Sequence, residues 1–307
     1  MTDRRNFRLT LRRMATNYEL YLFVLPAVVY IILYCYWPMY GVQIAFKDYR
    51  LSLGILGSKW AGLKHFNRLF NTPALWTLIK NTLSLSIYSL VVGFPIPVIF
   101  SLFLNQVRVK RFKQLVQTVS YAPHFISTVV MVSMILLFLN GSIGVVNKLL
   151  GYIGQGPYDF MTRPKWFSSI YVATGVWQNL GWNSIIYLAA LAGVDPELHE
   201  AAMIDGANRF RRIWHIDLAG ILPTVTIMLI LASGSIMTIG FEKVFLMQNP
   251  LNLESSEVLS TFVYKIGLLY TQYSYSTALG LFNSLINFAM LVSVNAFAKR
   301  LEVEGLW

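Results

Sequence analysis

Cysteine is almost missing from this chain: 307 residues hold only Cys35, so neither an internal disulfide nor a cysteine-built metal site can form. The four histidines, His65, His124, His199 and His215, show no metal-ligand spacing. No Gly-Lys dipeptide occurs, so the phosphate-cradling loop GxxxxGK[ST] is absent and this chain cannot cradle a nucleotide in that way. Acidic residues number 14 against 25 Lys and Arg, and charged residues make up only 13% of the chain. No apolar run carries a paired acid and base at mid-depth, which an ion-coupled carrier usually needs; only Glu242 and Lys243 sit near one, at its outer end.

What the chain has in quantity is apolar surface. Hydrophobic residues account for 56% and the mean hydropathy is +0.54, more than a water-facing surface allows. Six apolar stretches read at about 20–40, 80–104, 115–139, 166–192, 221–243 and 276–298. Each approaches the roughly 20 helical residues that cross about 30 Å of hydrocarbon. The expectation is an all-α membrane protein with about six transmembrane helices and both termini on one side.

Lys and Arg set the orientation. They are densest at Arg4, Arg5, Arg8, Arg12 and Arg13 and again at Arg108, Lys110, Arg111 and Lys113, which favours cytosolic termini. Residues 1–19 read as a basic cytosolic segment and 20–307 as the transmembrane domain. The first apolar run is too long for a signal peptide and has no small-residue cleavage site, so it reads as an uncleaved span. The net charge of +11 sits in short groups beside the spans, where it meets anionic lipid, and argues against a nucleic-acid partner. Several spans carry helix breakers: Pro95 and Pro97, Pro123, and Gly175 with Gly181. These serve either a moving pathway or ordinary helix packing.

The most specific stretch is Glu200 to Pro223, EAAMIDGANRFRRIWHIDLAGILP, within a polar loop of about 195–223. Asp195 is placed to cap a helix that Pro196 and Glu197 open and Gly206 ends. Asn208 then caps a second helix whose Phe210, Ile213, Trp214 and Leu218 recur at helical spacing beside Arg209, Arg211 and Arg212.

The pattern Glu200, Ala201, Ala202, Gly206, Ile216 and Pro223 resembles the EAA loop of permease subunits in binding-protein-dependent ABC importers. Ala219 stands where that family usually has a proline. The runs from Tyr36 to Tyr49 and from Glu257 to Asn287 resemble LplB-type carbohydrate permeases of the MalF-like group. The resemblance implies that Glu200, Ala201, Ala202, Asp205, Gly206, Arg209, Ile216 and Pro223 couple the chain to an ATPase. It implies a heterodimeric core with a second, related permease, two copies of the ATPase, and an extracytoplasmic solute-binding protein. The chain itself would bind no cofactor and would not be an enzyme; ATP and Mg would be used by the ATPase.

A sugar path needs hydrogen-bonding edges and aromatic faces. Gln178, Asn179, Trp182 and Asn183 in the fourth span supply both. Ser233, Met237, Gly240 and Phe241 in the fifth lie three to four residues apart and are expected to share a helical face. Both spans resemble those that hold the sugar in maltose-type permeases. The alternative is that these residues only hold helices together. Asn283 and Asn287 are weaker candidates. Substrates of such permeases run from neutral oligosaccharides to acidic, uronate-type ones such as alginate, and the positive outer loops would steer a polyanion. The competing functions are an ion-coupled secondary transporter and a membrane docking protein without a pathway.

Overall fold

The protein, described by a computed structural model, is helical almost throughout; residues 16–234, 236 and 239–300 are described. The basic cluster from Arg4 to Arg13 and the candidate Met237 lie outside the described residues. Among the described residues, four helices are long and apolar enough to cross a membrane: Tyr18–Phe46, Ala74–Asn105, Arg209–Gly234 and Tyr273–Ala296.

The first rod, α1 (Tyr18–Phe46), is 29 residues long and about 44 Å at 1.5 Å per residue, enough to span with tilt. Its first half is exposed, Phe23 by 90%, whereas at its far end Ala45 is buried and Phe46 stacks on Trp60 with ring centres 5.8 Å apart. The second span is α2 (Ala74–Gly93) followed by α3 (Pro95–Asn105). Pro95 falls at the first position of α3, where its missing N–H is least costly, so the rod continues past Phe94.

The third expected span does not run straight. α4 (Lys110–Tyr121) and α5 (Thr128–Phe138) meet at 99°, with a 3-10 turn from Ala122 to Phe125 between them. Pro123 cannot donate to the helical ladder, and Ser127 restarts it by accepting from the backbone N–H of Val130 at 3.4 Å. The fourth, α6 (Pro164–Ala192), is 29 residues long and so able to span, although its polar residues keep it out of the four most apolar helices.

After α6 come the short α7 (Pro196–Ile204) and α8 (Arg209–Arg212), a π-turn at Ile213–Asp217, and α9 (Leu218–Gly234). Here the expected fifth span is corrected. Its helix ends at Gly234 rather than near 243, and a new helix, α10 (Phe241–Met247), begins after Gly240. Ser233, Gly240 and Phe241 therefore do not share one helical face. Composition hid the break, because Ile236 and Ile239 keep the run apolar and are themselves buried without belonging to a helix. The last helix, α11 (Tyr273–Arg300), closes the bundle against α9.

One feature lies outside the all-helical expectation. Residues Lys47–Asp48 and Lys59–Trp60 form a short antiparallel ladder after α1. Asp48 accepts from Lys64 at 2.9 Å, and that hydrogen bond holds its carboxyl below the ordinary value.

Candidate functional site

The polar hairpin is built by local chemistry. The carboxylate of Asp195 accepts from the N–H of Glu197 at 2.9 Å and caps α7. At its far end Gly206 adopts φ +75, with nothing within 4 Å of where a Cβ would stand, so backbone conformation alone calls for glycine. The N–H groups of Gly206 and Ala207 satisfy the carbonyls of Met203 and Ala202. The side-chain oxygen of Asn208 accepts from the N–H of Arg211 at 2.9 Å and caps α8.

Glu200, Ala201, Asp205, Gly206 and Arg209 are exposed, Ala202 and Ile216 half-buried, and Pro223 lies inside α9. The expected apolar face of the second helix divides. Ile213 and Leu218 pack against Val98, Leu102, Tyr187, Leu191 and Ile221. Phe210 and Trp214, by contrast, stay 73% and 67% exposed, because α8 projects clear of the bundle before the π-turn shifts the register. With Ile204, 87% exposed, they leave an apolar tip beside the charged residues.

The hairpin is held to the membrane helices by a residue that the sequence did not single out. Asp217 is fully buried. Its carboxylate accepts from the Gln106 amide at 2.7 Å and the Asn105 amide at 3.4 Å, and lies 3.3 Å from Nε2 of His199. It thus joins α7, the π-turn and the end of α3. The one available signal was a lone acid in an otherwise apolar stretch.

A cavity of about 380 Å³ opens between α2, α3, α6 and the segment from Ala232 to Lys243. Of the expected path residues, Gln178, Asn179, Asn183 and Gly240 line it. Trp182, Ser233 and Phe241 do not. Trp182 stacks on His124, with centroids 4.4 Å apart and planes at 5°. Asn179 bonds His124 through Oδ1 at 3.0 Å, and the Gln178 amide donates to the Ile126 carbonyl at 3.0 Å. Gly181 allows α6 to press on the Ser120 carbonyl. This group of α6 residues braces the broken third span, the helix-holding role set out above as the alternative. Ser233 donates to the Leu229 carbonyl within its own helix. Phe241 faces a second cavity of about 430 Å³ with Tyr264, Tyr273 and Asn283.

The first cavity also holds residues that sequence reasoning passed over. Ser86 and Ser89, one turn apart on α2, line it, as do Tyr171 and Lys243. The hydroxyl oxygens of both serines lack a hydrogen-bond partner among the described residues. Two small polar residues three apart in an apolar run were the only trace of this.

Against known proteins, residues 79–303 match the family described as binding-protein-dependent transport system inner membrane component. The chain is similar to the polygalacturonan/rhamnogalacturonan transport system permease protein YteP of Bacillus subtilis (strain 168), 43% identical over 98% of this chain and 93% of that one. Protein LplB of the same organism is 42% identical over 94% of this chain and 91% of that one. Among solved structures, one chain of a bacterial alginate ABC transporter, in complex with a periplasmic protein bound to alginate pentasaccharide, superposes with a TM-score of 0.89. It is 37% identical, covering 96% of this chain and 99% of that one. The exposed hairpin, the bundle around a cavity with polar groups in its wall and these likenesses agree, and the chain belongs to the family of inner-membrane permease components of binding-protein-dependent transport systems, a transport subunit rather than an enzyme.

Proposed function

We propose that this chain forms one half of a heterodimeric membrane core that imports an oligosaccharide bearing uronate groups. A second, related permease completes the core, two copies of an ATPase dock on the hairpin, and an extracytoplasmic binding protein delivers the sugar. ATP and Mg are used by the ATPase, with no cofactor on this chain. Both termini and the hairpin face the cytosol, in line with the clusters of Lys and Arg on that side. The uronate class is supported by the relatives named for polygalacturonan and alginate, both uronate polymers.

The observation that carries this reading is the cavity itself. Its volume falls within the range of small-ligand sites, about 300–1,000 Å³, and polar groups stand in a mostly apolar wall. Among the path residues of α6, Asn183 lines this cavity and makes no side-chain hydrogen bond within the described chain, so its amide is available to a sugar hydroxyl. Gln178 and Asn179 share the wall while bracing the third span. The coupling residues are Glu200, Ala201, Ala202, Asp205, Gly206 and Arg209 at the exposed end, with Ile216 and Pro223 leading back into the membrane. Filling the cavity tests the reading: Asn183→Trp should abolish uptake of labelled trigalacturonate by the reconstituted complex while basal ATP hydrolysis persists. Uptake at the parent rate would remove the cavity from the path.

A further inference from the structure

Lys243 is a buried cation with no counter-ion among the described residues. It lies in the first turn of the short helix α10, is 8% exposed and lines the cavity. Its ammonium donates to the Tyr171 carbonyl at 2.8 Å and stands 4.6 Å from the centre of the Tyr171 ring. Among the described residues no carboxylate pairs with it. The neighbouring Glu242 is exposed. An ammonium carries three donors, and a carbonyl together with an aromatic face accounts for part of that capacity only. A charge held out of water in this way is costly unless something negative meets it.

The surrounding backbone makes room for this ammonium. A Cβ on Gly175 would come within 3.3 Å of Lys243 Nζ, and one on Gly240 within 3.2 Å of the Tyr171 hydroxyl. In the same cavity, on α2, Ser86 is 6% exposed and its hydroxyl oxygen, like that of Ser89, has no partner among the described residues. An unpaired cation and two unpaired hydroxyls thus wall one cavity. That set lacks an anionic acceptor, and a carboxylate supplies one: an oxygen for the ammonium and lone pairs for hydroxyl donors. A neutral sugar would leave the cation unmatched.

We propose that Lys243, with Ser86 and Ser89, forms a subsite for a carboxylate of the transported saccharide. The subsite rests on the import reading above and adds the group that selects acid over neutral sugar. Asn183 and Gln178, deeper along α6, then meet hydroxyls of the same chain of sugars. The competing role for Lys243 is purely structural, pinning α10 to α6 through the Tyr171 carbonyl.

The test uses the whole complex, with its partner permease, ATPase and binding protein, in proteoliposomes, and trigalacturonate as the probe. Lys243→Met keeps an unbranched side chain, one heavy atom shorter, and removes the charge. Uptake should fall at least tenfold, with melting temperature and basal ATP hydrolysis unchanged. Unchanged uptake, or uptake lost only in step with melting temperature, overturns the subsite. The double variant Ser86→Ala/Ser89→Ala removes two small hydroxyls and guards against a misfolded lysine variant; the KM for trigalacturonate uptake should rise at least threefold, and an unchanged KM also overturns the proposal. If the parent complex fails to take up trigalacturonate, the import reading falls and the subsite with it. Uptake by the parent that survives both variants overturns the subsite alone.

Discussion

Nε2 of His199 lies 3.3 Å from Oδ1 of Asp217, so a single buried carboxylate ties α7, the first helix of the hairpin, to the π-turn that follows α8. The same carboxylate takes the amide of Gln106, so one side chain links α7 to the end of the second span. If the ATPase docks on the hairpin as proposed, movement there is expected to pass through this contact as a unit rather than to be absorbed by a hinge.

Asp217→Ala removes the shared, fully buried acceptor and its charged hydrogen bonds with the half-buried Gln106 and His199, at a cost of about 1–3 kcal/mol. The purified complex should melt at a lower temperature. Hydrolysis stimulated by the loaded binding protein should fall more than basal hydrolysis. Equal stimulated and basal losses would show that Asp217 serves folding and not transmission.

At Gly206 the conformation, not space, restricts the side chain. Gly206→Ala should cost about 1–2 kcal/mol, the penalty of a left-handed backbone for a residue with Cβ, and Gly206→Asn less. ATPase copurification should therefore weaken in the order Gly, Asn, Ala. A parent-like yield for Gly206→Ala would contradict the assigned turn.

Trp182 and Asn179 brace the third span through His124. Trp182→Ala should lower melting temperature and yield together, by about 1 kcal/mol or more from the lost ring pair and its buried area. Uptake per assembled complex should stay close to that of the parent. Uptake lost at full yield and stability would instead return Trp182 to the sugar path.

Much of the hairpin was legible because its signals are local. Asp195, Gly206 and Asn208 act within three residues of themselves, and each takes the role its spacing implied. The spans around Ala74–Asn105 and Tyr273–Ala296 followed from length and apolarity. The break after Gly234 was hidden because its buried loop residues are as apolar as a helix. Trp182 was read toward the path because a sugar-stacking ring and a helix-bracing ring have the same composition; only the position of His124, more than fifty residues earlier in the chain, separates them. Lys243 looked like a flank at the outer end of a span. Its burial depends on the gap at Gly175, which no local pattern records.

Orientation is open to labelling from outside intact cells, in a Cys35→Ala background. Single cysteines at Ser142 and Leu251 should react with an impermeant maleimide, and one at Asn208 should not. Leu251, 65% exposed, is a better reporter than Ser255, whose hydroxyl is half-buried against the Pro164 carbonyl. Reaction at Asn208 with silence at Ser142 would invert the topology.

The most direct test of the account is the energy source for uptake. In proteoliposomes holding the complete complex, accumulation of labelled trigalacturonate should require ATP with Mg on the ATPase side and the binding protein on the other. It should continue at the same rate when ionophores collapse every ion gradient. Accumulation driven by an ion gradient without ATP, or accumulation by this chain and its partner permease without the ATPase, would contradict it.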